Sequence, residues 1–207
     1  MGQAHSGSWS IASSQWYTSP GLAGLWASTS YNGTFSALDY QARLQRQGSN
    51  TSANCLLARG SPTPATIDND WDSGYSFCYA GNGYYNVWKS PGSAAWSVLQ
   101  DWTYSPSIST GAAWNVLRIV ANGSNLYFYV NGALVWSWVD ASIASERVGI
   151  EFYSPSPLTG DQLWVDWATL TNIAPREILD TISPEQQALN EAAQEGAANK
   201  NYSPIGE

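Results

Sequence analysis

Residues 114–132 read WNVLRIVANGSNLYFYVNG. From Trp114 to Ala121, and again from Asn125 to Val130, aliphatic side chains alternate with polar or aromatic ones. A period of two marks a strand with one buried face. Asn122-Gly123 and Asn131-Gly132 separate the apolar runs, and Asn-Gly accepts the positive φ angles of a tight hairpin turn. The stretch predicts three consecutive antiparallel strands, the third being Ala133–Val139. A two-residue turn at Asn131-Gly132 places Val130 opposite Ala133, Phe128 opposite Val135 and Tyr127 opposite Trp136. A similar turn at Asn122-Gly123 places Ile119 opposite Leu126, Leu117 opposite Phe128 and Arg118 opposite Tyr127.

One face then carries Leu117, Ile119, Leu126, Phe128, Val130 and Val135, without a charge, and is assigned to the core. The other carries Trp114, Val116, Arg118, Tyr127, Tyr129, Trp136 and Trp138. Sugars present C–H faces that stack on aromatic rings, and hydroxyls that need polar neighbours. This wall, with Arg118 as polar anchor, is a candidate carbohydrate platform. The alternative stays open that loops or a C-terminal helix bury it as a second small core.

Outward from this stretch, strands are expected at Leu38–Gln45, Asn54–Arg59, Tyr75–Ala80, Tyr84–Lys89, Ser97–Trp102, Arg147–Tyr153 and Leu163–Thr171. Many strands without helical spacers predict an all-β, antiparallel, two-sheet jelly-roll sandwich. A loop at Ser154–Gly160 would pair the last two strands, with Phe152 near Leu163, Ile150 near Val165 and Val148 near Trp167 in the core. Glu151, Tyr153, Trp164 and Asp166 then share the opposite face. Beyond position 175 the only aromatic residue is Tyr202. There Ser183-Pro184-Glu185-Gln186 reads as a helix start with Ser as N-cap, and the helix 184–198 has Leu189 as its main anchor. The expected division is a sandwich domain over 1–174 and a tail over 175–207 with one short helix.

Charged residues are only 12% of the chain, while Trp and Tyr each occur 12 times. That balance suits a secreted or cell-surface β protein. The net charge of −8 opposes nucleic acid, which selects a basic surface. No apolar run approaches the roughly 20 residues of a membrane span. Met1-Gly2-Gln3-Ala4-His5 lacks the apolar core of a signal peptide, so a mature form is expected. The single histidine, His5, expected in a frayed terminus, excludes a zinc cluster and a Ser-His-Asp triad.

Asp68-Asn69-Asp70-Trp71-Asp72-Ser73-Gly74 alternates three carboxylates beside a glycine. Calcium takes several hard oxygens, so Asp68, Asp70 and Asp72 are candidate ligands for a structural Ca2+; a plain Asp/Asn turn is the alternative. Cys55 and Cys78 flank a loop symmetrically. If Arg59 faces Gly74 the two cysteines also meet, as a disulfide or as buried thiols. Glycoside hydrolysis uses a pair of carboxyl groups. Glu151 and Asp166 are the strand-borne acids expected on one face, beside Trp164 as a sugar seat.

Trp114–Gly132, with Arg147-Val148-Gly149-Ile150-Glu151-Phe152-Tyr153 and Leu163-Trp164-Val165-Asp166-Trp167, resembles the concanavalin A-like lectin/glucanase superfamily. Its laminin-G-like and 3-keto-disaccharide hydrolase-type branches are the nearest. Gly74-Tyr75-Ser76-Phe77 and Tyr85-Asn86-Val87-Trp88-Lys89 fit the same layout, so the resemblance spans about 35–172. It implies a jelly roll of two curved sheets, often with a ligand on the concave sheet or rim and sometimes with rim calcium. The glucanase string Glu-x-Asp-x-(x)-Glu is absent. The expected function is a non-catalytic, lectin-like carbohydrate-binding or adhesion module of an extracellular protein. The alternatives are a glycoside hydrolase using Glu151 and Asp166, and a structural subunit of a surface layer or filament joined through the C-terminal arm.

Overall fold

The structure, a computed structural model, describes residues 2–19, 24–63, 67–155 and 160–173. The expected boundary at 174/175 and the helix 184–198 lie outside the described residues. Along the chain run β1 (Gly2–Ala4), β2 (Ser8–Ala12), β3 (Gln15–Ser19), β4 (Leu25–Phe35), β5 (Leu38–Gln47), β6 (Asn54–Ser61), β7 (Ser73–Ala80), β8 (Tyr84–Ser90), β9 (Ser97–Tyr104), β10 (Asn115–Asn122), β11 (Asn125–Val130), β12 (Ala133–Val139), β13 (Glu146–Ser154) and β14 (Gln162–Asn172). They form two seven-stranded antiparallel sheets, β1-β4-β13-β6-β7-β8-β9 and β12-β11-β10-β5-β14-β3-β2. This is the all-β sandwich that the strand pattern predicts.

Strand β5 explains the packing in miniature. In LDYQARLQRQ every second residue from Leu38 to Arg46 points inward and is buried. Leu38 and Leu44 join Leu56, Phe77, Leu117, Phe128, Ile150 and Phe152 in the core between the sheets. Each such side chain contributes about 1.5–3 kcal/mol of burial. Arg46 ends the row inside the protein, paired with Asp161 at 2.9 Å.

Leu117, Ile119, Leu126, Phe128 and Val130 are all fully buried, as alternation predicts. Their register differs from expectation. Asn122 pairs with Asn125, which puts Ile119 opposite Phe128, Leu117 opposite Val130 and Arg118 opposite Tyr129. A shift of two residues keeps every side chain on its face; a shift of one would not.

That one-residue case occurs in β12. Val130 does pair with Ala133, but the register shifts between Phe128 and Tyr129, so Phe128 faces Trp136, and Tyr127 faces Ser137. The extra residue in β12 turns Trp136 inward, 7% exposed, with its ring 5.5 Å from Phe128. Trp138 stacks on Trp136 at 5.3 Å and packs against the core. Trp136 and Trp138 therefore leave the expected outer wall.

The last two strands do not form a hairpin within one sheet. β13 lies between β4 and β6 in the first sheet, and β14 lies between β5 and β3 in the second. Val148, Ile150, Phe152, Leu163 and Val165 are core as expected. Trp167 is not, being 37% exposed, because the register shifts between Val165 and Trp167. Four strands before Leu38 were not expected. One of them, β1, pairs with β4, so His5 follows a paired strand and contacts Ser30 Oγ at 2.7 Å.

Candidate functional site

The outer face of the second sheet carries most of the aromatic wall read from the sequence. Arg118 grips Asp39 through two hydrogen bonds, 2.7 and 2.6 Å, and lies over the Tyr129 ring at 5.0 Å. Arg43 lies 4.9 Å over Trp114 and pairs with Asp166 at 2.5 Å. Trp164 stacks on Tyr17 at 4.7 Å. Tyr127 shares the face from β11, half-buried. The charged groups of this wall are already matched to one another.

Asp166 is thus an ion-pair partner of Arg43. The hydrogen bonds from Arg43 and Gln15 hold its carboxyl below the usual carboxylate range. Glu151 is on β13 in the other sheet. The expected Glu151–Asp166 pair does not exist, since the acids sit on opposite layers of the sandwich.

A cavity of about 450 Å³ opens instead on the outer face of the first sheet. Strand register builds its floor. Glu151, Cys55, Cys78 and Asn86 pair successively across β13, β6, β7 and β8, forming one row on one face. Cys55 and Cys78 are joined as a disulfide at its centre. Trp26, Trp88, Trp96, Trp102 and Tyr153 line the cavity above this floor, with Ser76 beside Glu151.

A loop brings Asp68 and Asp70 to the same cavity. Trp71 anchors it, fully buried. The anchor depends on a missing side chain, because a Cβ on Gly149 would lie 2.3 Å from Trp71 Cζ2. The Trp26 amide donates to the Asp68 carbonyl at 2.9 Å, and Trp96 Nε1 donates to the Trp71 carbonyl at 3.2 Å. The loop is thereby tied to two of the cavity's tryptophans.

Glu151 is 1% exposed, and its Oε1 accepts a hydrogen bond from the Ser76 hydroxyl at 3.2 Å. Burial first, and the negative charge of Asp70 second, push its carboxyl well above the usual range. Burial also pushes Asp70 up to about 7, with Asp68 adding to the rise. The pair therefore retains protons that an unfolded chain releases near pH 4.3. Between that pH and about 7 the folded state binds more protons than the unfolded state, so stability falls as pH rises. Glu151→Gln is expected to flatten this decline and to be more stable than wild type at pH 8. Urea unfolding at pH 5 and pH 8 measures it; parallel slopes for both proteins would refute the assignment.

Asp68, Asp70 and Asp72 do not converge. Asp72 presents its carbonyl to Ser90 Oγ and to the Ala94 amide, both at 2.9 Å, and does not line the cavity. Among the described residues no group of three His, Cys, Asp or Glu side chains could hold a metal ion. Asp70, read from sequence as a calcium ligand, faces Glu151. One signal for this site was present in the sequence: Val87 belongs to the core, so Asn86 and Trp88 had to face outward together.

No protein-family profile and no curated protein sequence matches the chain. Solved structures do resemble it. A CBM66 carbohydrate-binding module from Bacillus subtilis superposes with a TM-score of 0.63 at 15% identity, over 82% of this chain and 94% of that one. A legume lectin-like domain from Entamoeba histolytica gives 0.61 at 12% identity, over 84% and 90%. The Crh5 transglycosylase in complex with NAG gives 0.57 at 8% identity, over 84% and 80%. The likeness is one of fold: the two-sheet antiparallel sandwich of these lectin-like structures. Among the structures that share it stand binding modules and enzymes alike.

Proposed function

We propose that the chain is a non-catalytic carbohydrate-binding module whose sugar seat is the cavity of the first sheet. The observation that carries this reading is four tryptophans and Tyr153 standing around a polar floor of Ser76, Asn86 and Glu151. Concave sites with mostly aromatic walls and few convergent polar groups are the usual form of small-ligand sites. The Cys55–Cys78 disulfide supports an oxidising compartment, as a secreted or surface-exposed module would occupy.

Trp88→Ala is expected to weaken oligosaccharide binding by about 2 kcal/mol, roughly thirtyfold in Kd, as loss of a central aromatic contact does. Trp114→Ala and Trp164→Ala, on the opposite layer, should leave the affinity within about threefold. Titration of a glycan panel against the three variants decides between the two faces. The reverse pattern would return the site to the second sheet.

Hydrolysis is the second reading, favoured by Glu151 being held neutral in an aromatic cavity, as a general acid must be. Its weakness is the spacing. Glu151 and Asp70 interact by direct side-chain contact, whereas glycosidase carboxyls stand about 5–5.5 Å or 6.5–9.5 Å apart with the sugar between them. Sugar release by wild type that vanishes in Glu151→Gln would replace the binding reading.

A further inference from the structure

We propose that this cavity selects a cationic sugar, an amino sugar whose ammonium group sits against Glu151 and Asp70, over a neutral sugar of the same size. The inference rests on the reading of the cavity as a sugar site, and names which sugars it prefers.

The lining is one-sided in charge. Asp68, Asp70 and Glu151 contribute three carboxyl groups, and among the described residues the lining includes no Lys, Arg or His. Among the described residues the cations are engaged elsewhere. Lys89 pairs with Asp140 at 2.5 Å, Arg46 with Asp161, and Arg147 reaches Asn32 at 3.4 Å. Arg59 donates to the carbonyls of Ser36 and Ile143. His5 lies against the Trp71 ring at 6.3 Å, and its Nε2 contacts Ser30 Oγ.

A second observation is independent of the charge count. Asn86 Oδ1, in the same floor row as Glu151, is buried without a hydrogen-bond partner. A buried acceptor left unmatched costs about 1–3 kcal/mol, so the floor favours a ligand rich in donors. An ammonium group brings three donors and a positive charge. A hydroxyl brings one donor and none. The tryptophan walls strengthen the preference, because an indole face attracts a cation most when water is excluded.

Seating a cation also changes the proton inventory. Asp70 and Asp68 face Glu151 from the loop, and Tyr153 lies beyond it on its own strand. Ser76, the disulfide and Asn86 face it from β7, β6 and β8, and none of them is acidic or basic. The proton held on the acid pair of the empty cavity must leave when an ammonium group arrives. Affinity for an amino sugar then rises with pH, until the ligand's own amine loses its charge.

The test is calorimetric titration of the full chain and of Glu151→Gln with three tetramers: fully deacetylated chito-oligosaccharide, its N-acetylated counterpart, and the cello-oligosaccharide. Wild type is expected to bind the deacetylated tetramer about tenfold tighter than either neutral one, with net proton release across buffers of different ionisation enthalpy. In Glu151→Gln that preference should shrink below about threefold. Equal affinity for all three tetramers would overturn the amino-sugar inference and leave the carbohydrate reading standing. Tight binding of the neutral tetramers alone would do the same. Failure of all three to bind at millimolar concentration would overturn both.

Discussion

Gly149→Ala is expected to lower the unfolding free energy by about 3–5 kcal/mol and to abolish ligand binding in the cavity. The new methyl would stand 2.3 and 2.6 Å from the Trp71 ring and 2.5 Å from the Thr29 carbonyl oxygen. Backbone retreat is blocked on both sides, since Gly149 pairs with Ser30 in β4 and with Leu57 in β6. The indole must therefore leave a fully buried position, at about the cost of deleting a core Trp. Asp70 precedes Trp71 and moves with it. Urea unfolding and glycan titration on the same preparation check both halves. A midpoint unchanged from wild type would refute the clamp.

Asp161→Ala is the second large effect, also about 3–5 kcal/mol. The side chains of Arg46 and Asp161 are 2% and 0% exposed. Asp161 Oδ1 accepts from the Ser49 amide at 2.7 Å, and Oδ2 from the Ser154 hydroxyl at 2.8 Å. Arg46 also reaches the Tyr153 carbonyl at 2.9 Å and Asn54 Oδ1 at 3.2 Å. Removing the carboxylate leaves a guanidinium charge sealed in the sandwich, and burial already pulls its pKa down. Replacing both residues together, Arg46→Met with Asp161→Leu, is expected to recover most of the loss, because the penalty comes from the unpaired charge. Denaturant midpoints of the single and double variants measure it; a double variant as unstable as the single would refute this account.

The sandwich was readable because its central strands alternate without interruption. Leu38 to Arg46 and Leu117 to Val130 announce an inner face whatever the exact register. What could not be read was anything that depends on a single inserted residue or on which layer a strand joins. The shift in β12 turns Trp136 from platform to core. Alternation assigned the inner face of β13, and that of β14 as far as Val165, but periodicity carries no label for the sheet. Glu151 was therefore given the wrong partner. Asp70 reaches it only through Trp71 lodging on Gly149, a contact between residues far apart in the chain. The first 35 residues, rich in Ser and Gly, lack long apolar alternation, so β1–β4 went unseen.

The row Glu151–Cys55–Cys78–Asn86 has a practical corollary. Its members come from four strands, three of them consecutive in the chain, while the fourth, which carries Glu151, is distant in sequence. No linear peptide cut from the protein can reproduce the seat. Grafting its specificity onto another scaffold would mean transplanting the whole sandwich, while antibodies raised to short fragments should miss it.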